Sequence, residues 1–507
     1  MNQKDKVAII DGITGDRRTY GDLVRDTHSI GGCLQKDHGV SQGDIVGIIS
    51  PNHVDYFACL HGTAMLGGAI TPMNPVYTSS EVGKQLCGSQ AKVLISHPDC
   101  LEVAHKAKEM AKEECNLDVQ VLDLHSDIGK MKARMQGVVL NPTPASHDDT
   151  VVLPYSSGTT GLPKGVELTH ENMVSNTLQS WDCENRFVSS DDVILSPLPI
   201  FHIYAFLASL HNTLYRGATL VTMKSFDLER FCQLVQEHKC TRMHVVPPIL
   251  LALAKSPIVD NFDFSSMKIA ISAAAPLGAE LEVAVSSRLN IKVKQLWGMS
   301  ELSPLGTGVP DDRLKVGSGT VGPPCASSSV KVVNLNTGEA LPAGEEGELV
   351  IKGPQVMKGY LNAPDKTKEC LNLETGWFQT GDIAKIDQDG YVYITDRLKE
   401  LIKVKGFQVA PAELEALLYT HPNIADSCVI PVDDERSGQV PLAYVVLKSG
   451  DTKTTAEEIC EFVSERAAYY KRLAGGVRFV SYIPKTASGK ILRRVVMEDH
   501  KDSLKHS

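Results

Sequence analysis

Residues 155–165 have the sequence YSSGTTGLPKG, the strongest local signal in the chain. Four serine or threonine residues, three glycines and one lysine occupy these eleven positions. Glycines let the backbone turn so that its N–H groups can converge on an anion. The hydroxyls can donate to phosphate oxygens and Lys164 supplies charge, in hydrogen bonds that contribute about 1.5–3 kcal/mol each. The stretch therefore predicts a phosphate-binding loop.

The flanking sequence fits that role. An apolar run at residues 151–153 predicts a strand that enters the loop, and Thr169 as N-cap with Asn172 at N3 predicts a following helix. The loop is not a Walker A motif, because Lys164 follows a proline and precedes a glycine. A plain Ser/Thr/Gly surface turn is the alternative, and the density of anion-binding groups argues against it.

Composition and charge narrow the class of protein. The chain has 507 residues, of which 42% are hydrophobic and 22% charged, and a net charge of −10. These values are typical of a soluble globular protein, and the acidic balance argues against nucleic acid as a partner. No apolar run approaches the ~18 residues of a membrane span. Neither terminus resembles a signal peptide or an SKL-type peroxisomal address, so a cytoplasmic location is expected.

The twelve cysteines occur singly between Cys33 and Cys460. They form no CxxC pair and no zinc-like cluster with histidine. This pattern favours free, often buried thiols in a reducing compartment over disulfides or metal ligands.

The first two-thirds of the chain alternates short apolar runs with amphipathic stretches, which predicts an α/β fold with covered sheets. Buried strands are predicted at residues 45–49, 92–96 and 218–221, and helices at residues 228–238 and 277–289.

The residue composition changes twice further along the chain. Gly- and Pro-rich turns between short strands predict an antiparallel β unit over residues 317–395. A basic stretch from Arg397 then leads into a predicted helix at residues 411–419. We therefore place a boundary at residues 396–399, between a domain of residues 1–396 and one of residues 397–507.

Residues 317–322, GSGTVG, fit the GxGxxG pattern of dinucleotide-binding loops. Two prolines follow them where that motif requires an apolar helix, so no dinucleotide site is predicted there.

The loop at residues 155–165 resembles the signature loop of acyl-CoA synthetases, nonribosomal adenylation domains and firefly luciferases, the ANL adenylate-forming superfamily. Within it the chain is most similar to 4-coumarate–CoA ligases, with motifs in family order from residues 19–23 to Lys490. The resemblance implies a large N-terminal domain of two αβ-sheet layers with a small β-barrel-like unit. It also implies a smaller, mobile C-terminal α+β domain. In the loop it assigns ATP and AMP binding to Ser156, Ser157, Gly158, Thr159, Thr160 and Lys164.

Residues 295–301, QLWGMSE, resemble the family's QGYGMTE. An indole can stack on adenine, a hydroxyl can bond the α-phosphate, and a carboxylate suits Mg²⁺, which prefers oxygen ligands. The resemblance assigns nucleotide binding to Gln295, Trp297, Gly298 and Ser300, and the metal to Glu301.

Two motifs concern the acid. Residues 199–204, PIFHIY, resemble PMFHIY, which implies that His202 lies beside the reacting carboxylate. His202 is not expected to be a general base, because a carboxylate is already ionised at neutral pH. Residues 272–278, SAAAPLG, resemble the small-residue loop SGAAPLG that lines the adenine and acyl pockets. The acyl-binding residues implied are Tyr204, Ala274, Leu296 and Met299.

The remaining motifs lie in the last third of the chain. Residues 376–382, GWFQTGD, match a family motif whose Asp382 would accept hydrogen bonds from the ribose hydroxyls, with Arg397 as its companion. Residues 484–490, PKTASGK, match PKxxSGK, and Lys490 would bridge the acid and the α-phosphate as negative charge gathers.

Residues 399–408, KELIKVKGFQ, nearly repeat the ligase sequence KELIKYKGFQ. The resemblance places the hinge at Lys399, which it also assigns to ATP and AMP binding. It assigns adenylate contacts to Lys403 and Gln408 and contacts with CoA to Lys405 and Gly406.

The resemblance implies a two-step carboxylate–CoA ligase. An acid and MgATP give acyl-AMP and pyrophosphate, and CoA then displaces AMP. Mg²⁺ is the implied cofactor, ATP and CoA are co-substrates, and a hydroxycinnamate-type acid and a monomer are expected. The catalytic residues implied are His202, Lys403, Gln408 and Lys490.

Several alternatives stay open. Leu296 replaces a family glycine, and Ala208 lies where plant ligases often have serine, so a fatty acid is an alternative substrate. A carrier-protein adenylation module, a luciferase-type oxygenase and a non-catalytic nucleotide- or acyl-binding protein would share many of these motifs.

Overall fold

The computed structural model describes residues 3–134, 137–156, 163–183, 188–404, 407–434, 436–450, 453–486 and 489–505. Six predicted site residues lie outside these ranges, namely Ser157, Gly158, Thr159, Thr160, Lys405 and Gly406. The side chain of Gln408 also lies outside what is described.

The described residues form α-helices and β-strands throughout. The strands are β1 (Val7–Asp11), β2 (Arg17–Thr19), β3 (Ile45–Ile49), β4 (Ala69–Met73), β5 (Val93–Ser96), β6 (Gln120–Asp123), β7 (Thr150–Val152), β8 (Tyr155–Ser156), β9 (Lys164–Thr169), β10 (Val193–Ser196), β11 (Thr219–Thr222), β12 (Arg242–Val245), β13 (Ile269–Ser272), β14 (Lys292–Gly298), β15 (Leu305–Gly308), β16 (Ser329–Val333), β17 (Gly347–Lys352), β18 (Gly359–Tyr360), β19 (Phe378–Ile386), β20 (Val392–Arg397), β21 (Ile402–Val404), β22 (Phe407–Val409), β23 (Ile424–Asp434), β24 (Gly438–Leu447) and β25 (Val477–Phe479). The α-helices are α1 (Tyr20–His38), α2 (Tyr56–Ala64), α3 (Ser79–Ser89), α4 (Leu101–Cys115), α5 (Ser126–Arg134), α6 (His170–Cys183), α7 (Asn212–Tyr215), α8 (Leu228–His238), α9 (Pro247–Lys255), α10 (Ala279–Leu289), α11 (Pro364–Lys368), α12 (Pro411–Tyr419), α13 (Ala456–Arg466) and α14 (Arg493–Lys505). A π-helix at Ala205–His211 runs directly into α7.

Two eight-stranded sheets form the bulk of the chain. The first has the order β15-β14-β13-β12-β10-β11-β1-β2. Within it, the six neighbouring strands β14, β13, β12, β10, β11 and β1 are parallel to one another. The second has the order β18-β9-β7-β4-β3-β5-β6, with β8 paired to β9. Strands such as β5 and β12 are buried along their whole length, as parallel strands covered on both faces are. This arrangement confirms the predicted α/β fold with two sheet layers.

A four-stranded antiparallel sheet, β16-β17-β19-β20, follows within the predicted β unit. Among the described residues this sheet is open, because each edge strand, β16 or β20, pairs with only one other strand of the sheet. The last sheet, β22-β21-β24-β23 with β25 on β24, carries α12, α13 and α14 and forms the α+β part at the C-terminal end. The proposed domain boundary falls at the end of β20 and stays a prediction.

Local signals in the sequence predicted several elements closely. Strand β3 and helices α8 and α12 have the predicted bounds, and α10 begins two residues later than predicted. At the start of α6, the Thr169 N–H donates to Asn172 Oδ1 (2.9 Å) and the Asn172 N–H to Thr169 Oγ1 (3.1 Å). This reciprocal cap confirms the helix start predicted after the loop.

The expectation that all cysteines are free thiols is wrong at one pair. Helices α3 and α4 pack side by side, and this packing brings Cys87 and Cys115 together in a disulfide. They are 28 residues apart, a spacing that carries no sequence signal. The other ten cysteines form no disulfide, and eight of them are buried as predicted.

The structure also bears on the GxGxxG-like stretch and on membrane spans. No helix follows residues 317–322, and the Gly317 N–H donates to Glu282 Oε2 (2.7 Å), so this stretch is a structural turn. No helix among the described residues is long and apolar enough to cross a bilayer.

Candidate functional site

A cavity of about 50 Å³ lies at the carboxyl ends of β10, β13 and β14. Open α/β sheets bind ligands at this edge, where the loops that follow the strands converge. The lining residues are mostly apolar and include four expected to bind the acyl group, Tyr204, Ala274, Leu296 and Met299. The structure therefore gathers four residues from three separate motifs around one space.

Two of these lining residues are held by local geometry. The Tyr204 hydroxyl donates to the carbonyl of Ile271 (3.2 Å), which fixes the ring against β13. Ala274 has a φ of 71°, in the left-handed region that favours glycine. This conformation is unfavourable for alanine. Its presence here indicates that the surroundings strongly constrain the backbone of the loop after β13.

His202 lines the cavity, and the Lys490 ammonium lies within electrostatic reach of it. Burial and the nearby Lys490 ammonium lower the pKa of His202 to about 4, so the imidazole is neutral at pH 7. Burial and the Arg397 guanidinium lower the pKa of Lys490 to about 8, against the opposing effect of Asp382. Gly489 anchors this segment, since a Cβ there would lie 3.1 Å from Cγ2 of Val246, just before α9. A C-terminal lysine is thus held against the large sheet.

Asp382 is the centre of the neighbouring polar cluster. It is 4% exposed, and the indole Nε1–H of Trp297 donates to its Oδ2 (2.8 Å). The Arg397 Nε lies 3.3 Å from Oδ1, because β19 and β20 pair these two residues in register. Burial raises the pKa of Asp382, and Arg397 and the Trp297 hydrogen bond oppose that rise. Three residues predicted to bind nucleotide therefore form one connected group.

Glu301 forms a second cluster with the described end of the phosphate loop. The hydroxyls of Ser156 (3.2 Å) and Tyr360 (2.9 Å) both donate to its Oε1. The Lys164 ammonium lies 4.8 Å from the centre of the Tyr360 ring, a cation–π distance. Within the described residues, Glu301 Oε2 receives no hydrogen bond. Carboxylate and hydroxyl oxygens are the donors that Mg²⁺ prefers, so this cluster fits the expected metal.

The amide of Gln295 is occupied by neighbouring structure. Its Nε2 donates to the Leu277 carbonyl (3.0 Å) and to Glu282 Oε1 (2.5 Å), and its Oε1 accepts from the Leu277 N–H (3.3 Å). Gln295 therefore holds the loop after β13 beside the cavity. Gly298 lines the cavity directly, and Ser300 lies next to Glu301 in a short 3₁₀ helix.

The structure does not bring every predicted residue to this place. Lys403 is exposed on β21, and within the described part of the chain its side chain makes no hydrogen bond with the Asp382 cluster. Gln408 pairs with Lys403 across the β21–β22 hairpin. Lys399 is exposed, just beyond the end of β20.

Sequence reasoning missed Tyr360 and Asn212. Tyr360 is remote from every motif, and only the β9–β18 pairing brings it to Glu301 and Lys164. Asn212 lines the cavity. A lone amide ten residues after His202, within an apolar helical run, was the available signal.

Comparisons with known proteins show the family of the chain. The sequence pattern of the AMP-binding enzyme family matches residues 1–361, and that of the AMP-binding enzyme C-terminal domain matches residues 413–490. 4-Coumarate–CoA ligase 1 of Petroselinum crispum is 44% identical over 504 residues, covering 97% of this chain and 90% of the relative. 4-Coumarate–CoA ligase of Vanilla planifolia is 42% identical over 502 residues, covering 96% and 89%.

Solved structures give the same answer for the fold. ATP-bound MatB from Rhodopseudomonas palustris matches with a TM-score of 0.89 and 29% identity, over 99% of this chain and 97% of that one. Apo MatB covers the same shares with a TM-score of 0.78. The loop, the clusters around Asp382 and Glu301 and these matches over nearly the whole length lead to one conclusion: the chain belongs to the family of AMP-binding, adenylate-forming enzymes and is a relative of the 4-coumarate–CoA ligases.

Proposed function

We propose that the chain is an AMP-forming acid–CoA ligase that activates a carboxylic acid as acyl-AMP and transfers the acyl group to CoA. One observation carries the proposal: the Lys490 ammonium lies within electrostatic reach of both His202 in the cavity wall and Asp382 in the polar cluster. A cation at this junction can stabilise negative charge as a carboxylate approaches a phosphate.

In the first half-reaction the acid lies in the apolar cavity with its carboxylate towards His202. The carboxylate oxygen attacks the α-phosphorus of ATP, and pyrophosphate leaves. No proton needs to be removed from the acid, and the low pKa of His202 agrees with a neutral, positioning role. Lys490 holds its proton below pH 8 and supplies the positive charge.

The nucleotide occupies the polar side of the site. Asp382 accepts hydrogen bonds from the ribose hydroxyls and Trp297 packs against the base, while Ser156 and Lys164 contact the phosphates. Glu301, with its oxygen neighbours, is the residue that would hold Mg²⁺. When bound there, the metal would neutralise phosphate charge.

In the second half-reaction the CoA thiol attacks the acyl carbonyl and AMP leaves. We assign Lys405 and Gly406 to CoA, and adenylate contacts at this stage to Lys403 and Gln408. The exposed position of Lys403 and the higher TM-score to ATP-bound than to apo MatB support a first-step arrangement here. The second step then requires the segment after residue 396 to turn about Lys399, a rigid-body motion of residues 397–507.

We propose a hydroxycinnamate-type acid, on the similarity to ligases of that name. The mostly apolar lining of the cavity suits the apolar body of such an acid. The cytoplasmic location and the monomeric state expected from the sequence stay predictions.

The test is a panel of acids, comprising cinnamates, benzoates and fatty acids, in which AMP release is measured with and without CoA. We expect CoA-dependent AMP release with at least one acid. Lys490→Ala should abolish acid-dependent pyrophosphate exchange and still convert preformed acyl-AMP and CoA to thioester. Lys501→Ala, at an exposed lysine of α14, is the matched control.

Three outcomes would contradict the proposal. Absence of AMP release with every acid would favour a non-catalytic binding protein. Light emission from the acyl-AMP with oxygen would favour a luciferase-type reaction. Equal loss of both half-reactions in Lys490→Ala would remove the role assigned to that residue.

A further inference from the structure

Helices α3 and α4 are joined by a disulfide that reagents in solution can reach. Cys87 lies in the last turn of α3, and Cys115 is the last residue of α4. Both are partly exposed, whereas eight of the ten cysteines outside this pair are buried. A disulfide exchanges with an external thiol only where the attacking sulfur can approach it. The pair therefore has both the geometry and the access that thiol–disulfide exchange requires.

The end of α3 packs directly against the phosphate loop. Gly88, next to Cys87, lies so close to Tyr155 that a Cβ at position 88 would be 2.8 Å from the Tyr155 hydroxyl oxygen. The same ring also lies against Gly165, where a Cβ would be 3.2 Å from Tyr155 Cε2. Since Tyr155 begins the loop and Gly165 ends it, one aromatic ring connects α3 to both ends of residues 155–165.

A buried chain of hydrogen bonds also joins α3 to the segment that enters the loop. The Gln85 Nε2 donates to Thr71 Oγ1 (2.9 Å) and to the Pro72 carbonyl (3.1 Å) on β4. The Thr71 hydroxyl donates in turn to the carbonyl of Leu153 (2.8 Å), two residues before Tyr155. Gln85 is 4% exposed, so water does not readily replace these bonds. A displacement of α3 must therefore disturb contacts at the start of the phosphate loop.

Apart from the disulfide, α4 contacts α3 through small side chains. The buried residues of α4 are three alanines, Ala104, Ala107 and Ala111. On α3 the closest approach is at Gly83, where a Cβ would lie 3.5 Å from the Ala107 carbonyl oxygen. Alanines bury little apolar area, so they stabilise the packing of two helices less than larger side chains do. The covalent link at Cys87 and Cys115 thus reinforces a contact that buries little apolar surface on the α4 side.

We propose that Cys87 and Cys115 form a redox modification site that adjusts the affinity of the phosphate loop for MgATP. In the oxidising direction the two sulfurs form the S–S bond, and two electrons and two protons pass to an external disulfide, which is reduced to two thiols. An external dithiol reverses the exchange. The oxidised pair holds α3 and Tyr155 as in this structure, and reduction lets α3 shift and moves Tyr155 relative to Gly165. The inference rests on the proposed ligase function, which assigns ATP to this loop.

The experiment compares the chain after treatment with glutathione disulfide and after treatment with dithiothreitol, each removed before assay. Alkylation of thiols followed by peptide mass spectrometry counts the state of the pair. We expect the dissociation constant of MgATP, and its KM in acid-dependent pyrophosphate exchange, to be roughly three- to tenfold higher after reduction. The conversion of preformed acyl-AMP and CoA to thioester should not respond, because that step needs no binding of MgATP.

Cys87→Ser and Cys115→Ser each remove the site, and each should show the higher KM of the reduced chain after either treatment. Cys460→Ser is the matched control, since Cys460 is also partly exposed but lies on α13 and forms no disulfide. It should respond as the unmodified chain does. Gly88→Ala tests the path to the loop, because the added Cβ presses on Tyr155 and should raise the KM for MgATP while the disulfide stays intact.

The outcomes separate the redox site from the ligase function. Recovery of both cysteines as thiols after glutathione disulfide, an equal KM in both states, or a response that persists in Cys87→Ser would overturn the redox site and leave the ligase function standing. Absence of adenylation with every acid in both states would overturn the ligase function. The dissociation constants of MgATP would then still test whether the pair acts on the loop.

Discussion

Tyr360 lies between a cation and an anion. Its hydroxyl donates to Glu301, and the Lys164 ammonium lies over its ring. One aromatic side chain thereby fixes the distance between the lysine of the phosphate loop and the carboxylate proposed to hold Mg²⁺. Burial raises the pKa of Tyr360, and the charge of Glu301 raises it further, so the hydroxyl stays protonated and remains a donor.

Tyr360→Phe separates these two contacts, because it keeps the ring and removes the hydroxyl. Loss of a hydrogen bond to a charged group should lower kcat/KM for MgATP in the adenylation step by about tenfold. Pyrophosphate exchange at varied MgATP measures this. Tyr393→Phe is the control, since the Tyr393 hydroxyl donates to Asp387 in a turn (3.1 Å). Equal rates in both variants would contradict the contact's role.

The lowered pKa of Lys490 predicts a pH dependence. The ammonium is charged below its pKa of about 8 and neutral above it. The adenylation kcat/KM should therefore fall as pH rises through about 8. Lys490→Arg stays charged throughout this range, so its profile, measured by pyrophosphate exchange at matched ionic strength, should lack that descending limb. A limb at the same pH in the arginine variant would assign it to another group.

At the scale of elements, the β14–β15 turn determines the shape of the cavity. Gly298 ends β14 and lies so close to the chain ahead of β15 that a Cβ there would be 1.9 Å from the Pro304 carbonyl oxygen. The Met299 N–H donates to the same oxygen (2.9 Å). A glycine is thus required by close approach of two backbone segments, and this approach places Leu296 and Met299 around the cavity.

Gly298→Ala should lower the free energy of unfolding by about 1–3 kcal/mol, because the backbone must shift to relieve the clash. Adenylation should fall with it, since the turn lines the cavity. Gly129→Ala is the control, because nothing lies within 4 Å of a Cβ at this position of α5. The control should keep or slightly raise stability, as alanine favours helix. Similar urea midpoints for both variants would contradict the prediction.

At the scale of the whole molecule, a buried ion-pair network ties the C-terminal helix to the chain after β20. The Arg493 Nε lies 2.8 Å from Glu400 Oε2, and its Nη2 donates to Glu415 Oε2 (3.0 Å). Glu400 follows the proposed hinge, Glu415 lies on α12, and Lys490 is three residues before Arg493. The network therefore fixes the segment that carries the catalytic lysine.

Arg493→Met should destabilise the C-terminal unit by about 3–5 kcal/mol, because the buried carboxylate of Glu415 and the partly buried one of Glu400 lose their partner. Urea unfolding and limited proteolysis measure this, and adenylation should decrease as Lys490 loses its support. Arg494→Ala is the control, since the neighbouring Arg494 is exposed and its pairing with Glu498 contributes little. If both variants unfolded at the same midpoint, the network would not hold this segment.

The parts of the fold that the sequence predicted are those determined by residues close together in the chain. The cap of α6 requires Thr169 and Asn172 three residues apart, and strand β3 requires one apolar run, so short windows contain the whole signal. Tyr360 and the Cys87–Cys115 disulfide have no such window. Each depends on segments far apart in the chain that only packing brings together.

The sequence by itself determined the family, the α/β class, the phosphate loop and the identity of Lys490 and Asp382 as candidates, because these are carried by short motifs with fixed chemistry. The tertiary structure alone decided that Gln295 holds a loop, that Tyr360 joins Lys164 to Glu301, and that an unpaired Asn212 amide lies in the cavity wall. Hydrogen-bond partners and burial are properties of segments in contact, and the pairing of β9 with β18 or the course of the π-helix fixes them only once the chain has folded.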